Sequence, residues 1–202
     1  MILLINSEVA NIGSWENVLK EKRVEYILSN NPDLDLDKIT KIIFPGIGNF
    51  SKVMINLERL NLKKKLLFLL KNNVPYLGVC VGMQILFNKS DEDDEISGLG
   101  IFDGKCLKIE SKKIIKPHNG WNNIRFLKNS NLFNKLEKES DLYFNHSYYC
   151  SPKDKKIVTS CLEDDNDIIT SIEDKNIYGV QFHPEKSQSA GGLIINNFIN
   201  LK

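Results

Sequence analysis

The stretch Tyr76-Leu77-Gly78-Val79-Cys80-Val81-Gly82-Met83-Gln84 constrains this chain more than any other. An apolar run, Val74 to Val79, ends in a cysteine held between two glycines, and helix-type sequence follows from Met83 to Phe87. This pattern predicts a nucleophile elbow, a sharp strand-to-helix turn that pushes one side chain out at the sheet edge. The motif usually carries serine, and here the middle residue is Cys80. Gly78 and Gly82 suit it, because a strained turn with crowded backbone leaves no room for side chains. A helix starting here also puts its positive end beside the sulfur, which favours the thiolate. The plainer alternative is a small core residue, the common fate of a cysteine ending a buried strand. Taken alone, the G-x-C-x-G pattern is compatible with both.

The elbow sits inside an alternating pattern. Met1 to Asn6 reads as a buried strand, Asn11 to Lys22 as a helix with Asn11 or Ser14 as cap, and Val24 to Leu28 as a short strand. Asn31-Pro32-Asp33 marks a loop. Lys41 to Phe44 is a third strand, closed by Pro45-Gly46-Ile47-Gly48. Val53, Leu57 and Leu60 then share one helical face. Leu62, Leu66, Leu69 and Leu70 share another, with a break near Asn61 and an end at Asn72 and Asn73. Such alternation predicts an α/β fold: an open, mostly parallel, twisted sheet with helices on both faces. Ligands of such sheets sit outside the carboxyl ends of the strands, where both Gly46-Ile47-Gly48 and Cys80 fall.

After Phe87 the character changes. The acidic run Ser90 to Glu95 reads as a solvated loop. From Gly100 onward strand candidates alternate with polar turns such as Ser151 to Lys156 and Glu163 to Asp167. The strand candidates are Cys106 to Ile109, Ile124 to Phe126, Leu142 to Phe144, Ile157 to Thr159, Ile168 to Ile172 and Ile177 to Phe182. They predict antiparallel additions to the parallel half. Gly192 to Leu201 reads as a closing helix. The 202 residues suffice for one domain with a full core, spanning 1–202.

A second chemical feature lies in Gly179-Val180-Gln181-Phe182-His183-Pro184-Glu185. In an extended chain residues i and i+2 point to the same side, and Pro184 keeps His183 out of helical geometry. Glu185 then holds one imidazole nitrogen while the other faces Cys80, giving nucleophile, base and orienter. H-x-E alone reads as a surface turn; together with an elbow cysteine it is much rarer by chance. Gly46-Ile47-Gly48, with the N–H of Val81, can supply an oxyanion hole. Gln84, one turn beyond Cys80, can face the same pocket. Pro117-His118-Asn119-Gly120-Trp121-Asn122, read as a turn, and the aromatic-rich Tyr143 to Tyr149 fit core packing as well as function.

A net charge of +1 gives no electrostatic footprint for nucleic acid or a membrane surface. The apolar start, Met1 to Ile5, is too short for a signal peptide or a span and lacks a basic leader. Cys80, Cys106, Cys150 and Cys161 form no C-x-x-C, and no histidine falls at ligand spacing from them. The expectation is no metal, no cofactor, no disulfide framework, and a reducing cytoplasm.

The motifs together resemble the class I, triad-type glutamine amidotransferases, and more narrowly the glutaminase subunits of imidazole glycerol phosphate synthase, from histidine biosynthesis. The resemblance runs nearly end to end. It rests on Pro45 to Phe50, Gly78 to Gln84, Pro117 to Asn122, Tyr143 to Tyr148 and Gly179 to Ser187. It implies that Cys80 attacks the glutamine side-chain amide, His183 moves the proton and Glu185 orients it, through a thioester. It assigns Gly46, Ile47 and Gly48 to the oxyanion segment, and Gln84, His146, Ser147 and Tyr148 to the glutamine. Trp121 and Tyr143, with the loop at Asn11, match positions near a partner: a (β/α)₈-barrel cyclase subunit, forming a heterodimer and receiving the ammonia. Two places depart from the pattern, Ser7-Glu8-Val9-Ala10 where a glycine-rich stretch is usual, and Asn119 where an apolar residue is usual. Alternatives are a paralogous glutaminase feeding a surface-sugar synthase, a partner-binding protein without turnover, and a cysteine peptidase or γ-glutamyl hydrolase.

Overall fold

The computed structural model describes residues 1–201; residue 202, the end of the expected domain, lies outside them. Three short strands, β1 (Ile2–Leu4), β2 (Tyr26–Leu28) and β3 (Lys41–Phe44), and then β4 (Tyr76–Val79), are joined by α1 (Ile12–Glu21), α2 (Phe50–Arg59) and α3 (Leu62–Lys71). Beyond Cys80 come α4 (Val81–Gln84), β5 (Phe87–Ser90), β6 (Phe102–Lys108), β7 (His118–Asn122), β8 (Ile124–Phe126) and β9 (Leu142–His146). The chain closes with β10 (Tyr148–Pro152), β11 (Val158–Leu162), β12 (Ile169–Asp174), β13 (Ile177–Val180) and α5 (Gln188–Ile199).

The main sheet runs β2-β1-β3-β4-β13-β12-β10-β6-β5, with β11 and β8 branching from β12. Its first half is parallel: β1 pairs with β2 and β3, β3 with β4, and β4 with β13. Strand alternation sorts the apolar side chains. Leu3, Ile5, Ile42, Phe44 and Tyr76 pack with Leu57, Leu66 and Leu69 of α2 and α3. Ile2, Leu4, Ile43, Leu77 and Val79 pack with Trp15 and Leu19 of α1 and with Ile194 and Phe198 of α5. Helices therefore cover both faces, as period-2 strands buried on both sides require. Asn61 adopts φ 54°, the left-handed turn that separates α2 from α3.

Several expectations need correction. The run Ile177 to Phe182 is an antiparallel addition on one side only: β13 ends at Val180, pairs antiparallel with β12, and lies parallel to β4 on its other side, in register Val180 opposite Val79. β5 and β6 are also parallel, while β12–β13, β10–β12 and β10–β6 are antiparallel as anticipated. The helix after Cys80 is only four residues long, and Phe87 opens a strand instead of ending a helix. Its dipole at the sulfur is correspondingly small. The stretch His118–Asn122 is a strand paired with β9, not a turn. Ser151 and Pro152 belong to β10, not to a loop. Asn11 holds the N-cap position of α1 without a side-chain cap bond, and Ser14 lies inside the helix.

Candidate active site

The carboxyl ends of β3, β4 and β13 are neighbours in the sheet, so the loops leaving them meet at one edge. Cys80 follows β4 with φ 53° and ψ −110°, a backbone state costly for any residue but glycine. The glycines around it make that turn possible. A Cβ on Gly78 would collide with the carbonyl of Gly82, and one on Gly82 with the carbonyl of Phe44. Tyr76 Oη donates to Gly82 O at 2.6 Å, tying the elbow down from inside the core. Gly46 likewise has no room for a side chain, because Val81 packs against its Cα.

His183 lies three residues past β13 and is fully buried. Its Nδ1 is 3.0 Å from Glu185 Oε1, and the Glu185 side chain is itself only 2 % exposed. The geometry that joins them differs from the expected extended pair. Pro184–Lys186 forms a 3₁₀ turn, and His183 itself is extended, at φ −103°. The corner is over-determined: His183 N donates to Tyr143 O at 2.8 Å, Ser187 Oγ to His183 O at 2.7 Å, and Tyr143 N to Ser187 Oγ at 2.9 Å. His183 Nε2 and Glu185 Oε2 are buried without hydrogen-bond partners. Burial disfavours the imidazolium, but the adjoining Cys80 sulfur and the Glu185 carboxylate outweigh it and raise the His183 pKa to about 10. A free Nε2 beside a cysteine, with a carboxylate on Nδ1, is the arrangement of a general acid–base.

A cavity of about 230 Å³ opens at this edge, lined by Ile47, Gly48, Cys80, Gln84, Glu92, and Asn145 to Tyr148. Drug-sized ligands occupy roughly 300–1,000 Å³, so this one suits a single amino acid. A larger depression of about 700 Å³ around Phe126, Lys128 and Phe133 contains no cysteine or histidine. Cys80 lines this cavity, whereas Cys106, Cys150 and Cys161 are fully buried. Burial, with Cys106 beside it, pushes the Cys150 thiol well up and leaves it unreactive.

Of the candidate binding residues, Gln84, Ser147 and Tyr148 line the cavity. His146 does too, but both its ring nitrogens are engaged: Nδ1 donates to Tyr148 O at 2.9 Å, and Nε2 lies 2.9 Å from His118 Nδ1. Burial lowers the His146 pKa to about 3, with repulsion from His118 and His183 adding to it and the Tyr148 carbonyl opposing. Gly46 and Val81 are buried and are not among the residues lining the cavity, while Ile47 lines it and is 45 % exposed. Asn11, Trp121 and Tyr143 lie outside the cavity. Trp121 is 44 % exposed and meets Tyr143 edge-on at 5.6 Å. Tyr143 Oη donates to Asn119 Oδ1 at 2.8 Å, so the unusual asparagine has a polar partner.

Three contributors escaped the sequence reading. Glu92, taken for part of a solvated loop, lines the cavity and accepts from Phe50 N at 2.6 Å, at the start of α2. Asn145 turns its backbone oxygen towards Cys80 Sγ, 4.0 Å away. Gln181 donates from Nε2 to the same sulfur at 3.4 Å. An acidic run is usually a solvated face, so no local signal singles out Glu92; for Gln181 its place two residues before His183 was the available sign.

The family model described as glutamine amidotransferase class-I matches residues 3–201. The chain belongs to the class-I glutamine amidotransferases. The imidazole glycerol phosphate synthase subunit HisH 2 of Methanococcus maripaludis is 39 % identical over 204 residues, covering 98 % of each chain. The subunit HisH of Pyrococcus furiosus is 38 % identical, covering 94 % of this amidotransferase and 95 % of its own length. A solved glutamine amidotransferase superposes with a TM-score of 0.76 at 12 % identity, covering 98 % of this chain and 97 % of the other, which supports the fold. The expected likeness to glutaminase subunits of that synthase thus holds over nearly the whole amidotransferase. Among the described residues no helix is long and apolar enough to cross a membrane.

Proposed function

We propose that the chain hydrolyses glutamine to glutamate and ammonia, and delivers the ammonia to the cyclase subunit of imidazole glycerol phosphate synthase in histidine biosynthesis. Cys80 attacks the side-chain amide carbon. Backbone N–H groups of the Gly46, Ile47 and Gly48 segment and of Val81 receive the developing oxyanion. His183 gives its proton to the leaving nitrogen, the C–N bond breaks, and a thioester remains on Sγ. Water, deprotonated by His183, then releases glutamate and restores the cysteine. Glu185 keeps the imidazole oriented and favours its charged form. Gln84 and the His146-Ser147-Tyr148 segment hold the substrate, and Glu92 is the countercharge for its α-ammonium group.

The observation that carries this reading is the meeting of a strained elbow cysteine with a buried His183–Glu185 pair at adjacent parallel strand ends. The names of these two relatives support the acceptor. The partner is a (β/α)₈ barrel that docks as a heterodimer against Asn11, Trp121 and Tyr143. An exposed tryptophan beside a tyrosine has the character of an interface anchor. One glutaminase domain spanning 1–202 does this work in the cytoplasm, without a cofactor.

The test is glutamate release by the chain alone, with the cyclase, and with the cyclase plus its ribonucleotide substrate. Slow turnover alone and much faster turnover in the full mixture is expected. No hydrolysis in any mixture overturns the chemistry. Hydrolysis that the cyclase does not stimulate overturns the acceptor.

A further inference from the structure

Gln181 is fully buried between β13 and His183, and its backbone N–H is already spent on Thr170 O at 2.8 Å. Its side-chain amide spans two parts of the site: Nε2 donates to Cys80 Sγ at 3.4 Å, and Oε1 accepts from Gln84 Nε2 at 3.1 Å. Gln84 Nε2 also donates to Tyr148 O at 3.0 Å. An amide's nitrogen and oxygen are interchangeable in outline, so their assignment must come from the hydrogen-bond network. Here the network has a fixed end. Tyr148 O is a backbone carbonyl and can only accept, so Gln84 must turn its NH₂ towards it. Both Gln84 N–H groups are then used, one on Tyr148 and one on Gln181. Gln181 must therefore present its oxygen to Gln84 and its NH₂ to the sulfur. The remaining polar end of Gln84, Oε1, is left to face the cavity that Gln84 lines.

From this chain we infer that Gln181 is a positioning residue for the glutaminase reaction, holding the Cys80 sulfur with one end of its amide and orienting the Gln84 carbonyl towards bound glutamine with the other. The inference rests on Cys80 being the nucleophile. A donor at 3.4 Å holds a thiolate sulfur in place while it waits for the substrate carbon. The oriented Gln84 oxygen accepts from a substrate N–H, and it repels a ligand that offers only acceptors there. Gln181 touches neither the substrate nor the leaving group; it acts through the two residues that do.

The two ends make separable predictions, read in the complex with the cyclase and its ribonucleotide. Gln181→Met keeps the volume and removes both bonds. It should lower kcat about ten- to a hundredfold, the loss of one charge-assisted hydrogen bond, and raise the KM for glutamine severalfold. Gln181→Glu keeps the acceptor facing Gln84 but puts an acceptor-only group against the sulfur. It should spare KM and lower kcat at least as far as Gln181→Met. Alkylation of Cys80 by iodoacetamide at pH 7 should slow in both variants, which a packing role would not produce. A folded Gln181→Met variant with unchanged kcat and alkylation rate overturns the inference. If neither variant folds, the side-chain amide resonances of Gln181 in ¹⁵N-labelled protein decide: they should shift on Cys80→Ala, and no shift overturns the assignment. Failure of the underlying reading looks different, since Cys80→Ala itself would then leave glutamine hydrolysis intact.

Discussion

Two histidines, His183 and His146, are almost equally buried, yet they are held in opposite protonation states. His183, in the corner after β13, has its pKa raised to about 10; His146, at the end of β9, has its lowered to about 3. Burial acts in the same direction on both. The difference is the company each keeps. His183 has a carboxylate on one nitrogen and a cysteine sulfur near the other. His146 has a backbone carbonyl and a second histidine. Burial without a countercharge makes a histidine a structural hydrogen-bonding post; burial with one makes it a reservoir of a transferable proton. The two regions thus differ in kind: the corner suits the proton transfer proposed for it, and the β7–β9 ribbon braces the cavity wall.

Several changes would break or sharpen this contrast. The largest effect is expected from Cys80→Ala, which should reduce glutamate release at least about a thousandfold. In the same variant NMR titration should show the His183 pKa falling, because one of its two proton-holding neighbours is gone, while His146 stays depressed. Cys80→Gly should be equally inactive yet more stable than Cys80→Ala by about 1 kcal/mol in urea unfolding, because glycine alone is relaxed at φ 53°. Glu185→Gln comes next, with kcat expected to drop about 10²–10⁴-fold as the proton-transfer contribution fails. An unchanged His183 pKa in that variant would sink the idea that the carboxylate holds the charge.

On the ribbon side, Trp121→Ala should weaken cyclase binding about tenfold or more, as loss of an interface anchor does, measured by calorimetry. Stability against pH gives a further test, in which the two histidines have opposite signs. The folded-state pKa of His183 lies above the unfolded value of about 6.5. Its contribution is complete below that pH and is lost as pH rises through about 10. The folded-state pKa of His146 lies below the unfolded value. Its neutral form costs nothing above about pH 6.5, and stability is lost as pH falls towards 3 because the unfolded chain takes up the proton first. His146→Gln should therefore flatten the acid side of the stability curve and leave the alkaline side alone. A variant that changed both sides alike would count against the distinction.

What the chain alone revealed was local chemistry. Gly78 and Gly82 around Cys80 report a backbone collision that any side chain would cause, and that collision is written within five residues. The break at Asn61 and the strand Lys41–Phe44 were equally readable, since turn preference and apolar runs act over a few positions. Other features were hidden. The strand His118–Asn122 is poor in apolar residues because it forms a two-stranded ribbon with β9, outside the main sheet. Glu92 resembled its acidic neighbours until the fold brought it against the N-terminus of α2 and the cavity.

The sequence by itself determined the elbow, the residue types of the proposed catalytic trio and the helix-on-both-faces architecture, because steric exclusion and hydrophobic period are short-range properties. Tertiary structure alone decided that β13 slots in parallel beside β4, that a 3₁₀ turn and not an extended strand joins His183 to Glu185, and that Gln181 reaches the sulfur. Strand partnership depends on segments about a hundred residues apart finding a common register, and nothing within either segment names the other.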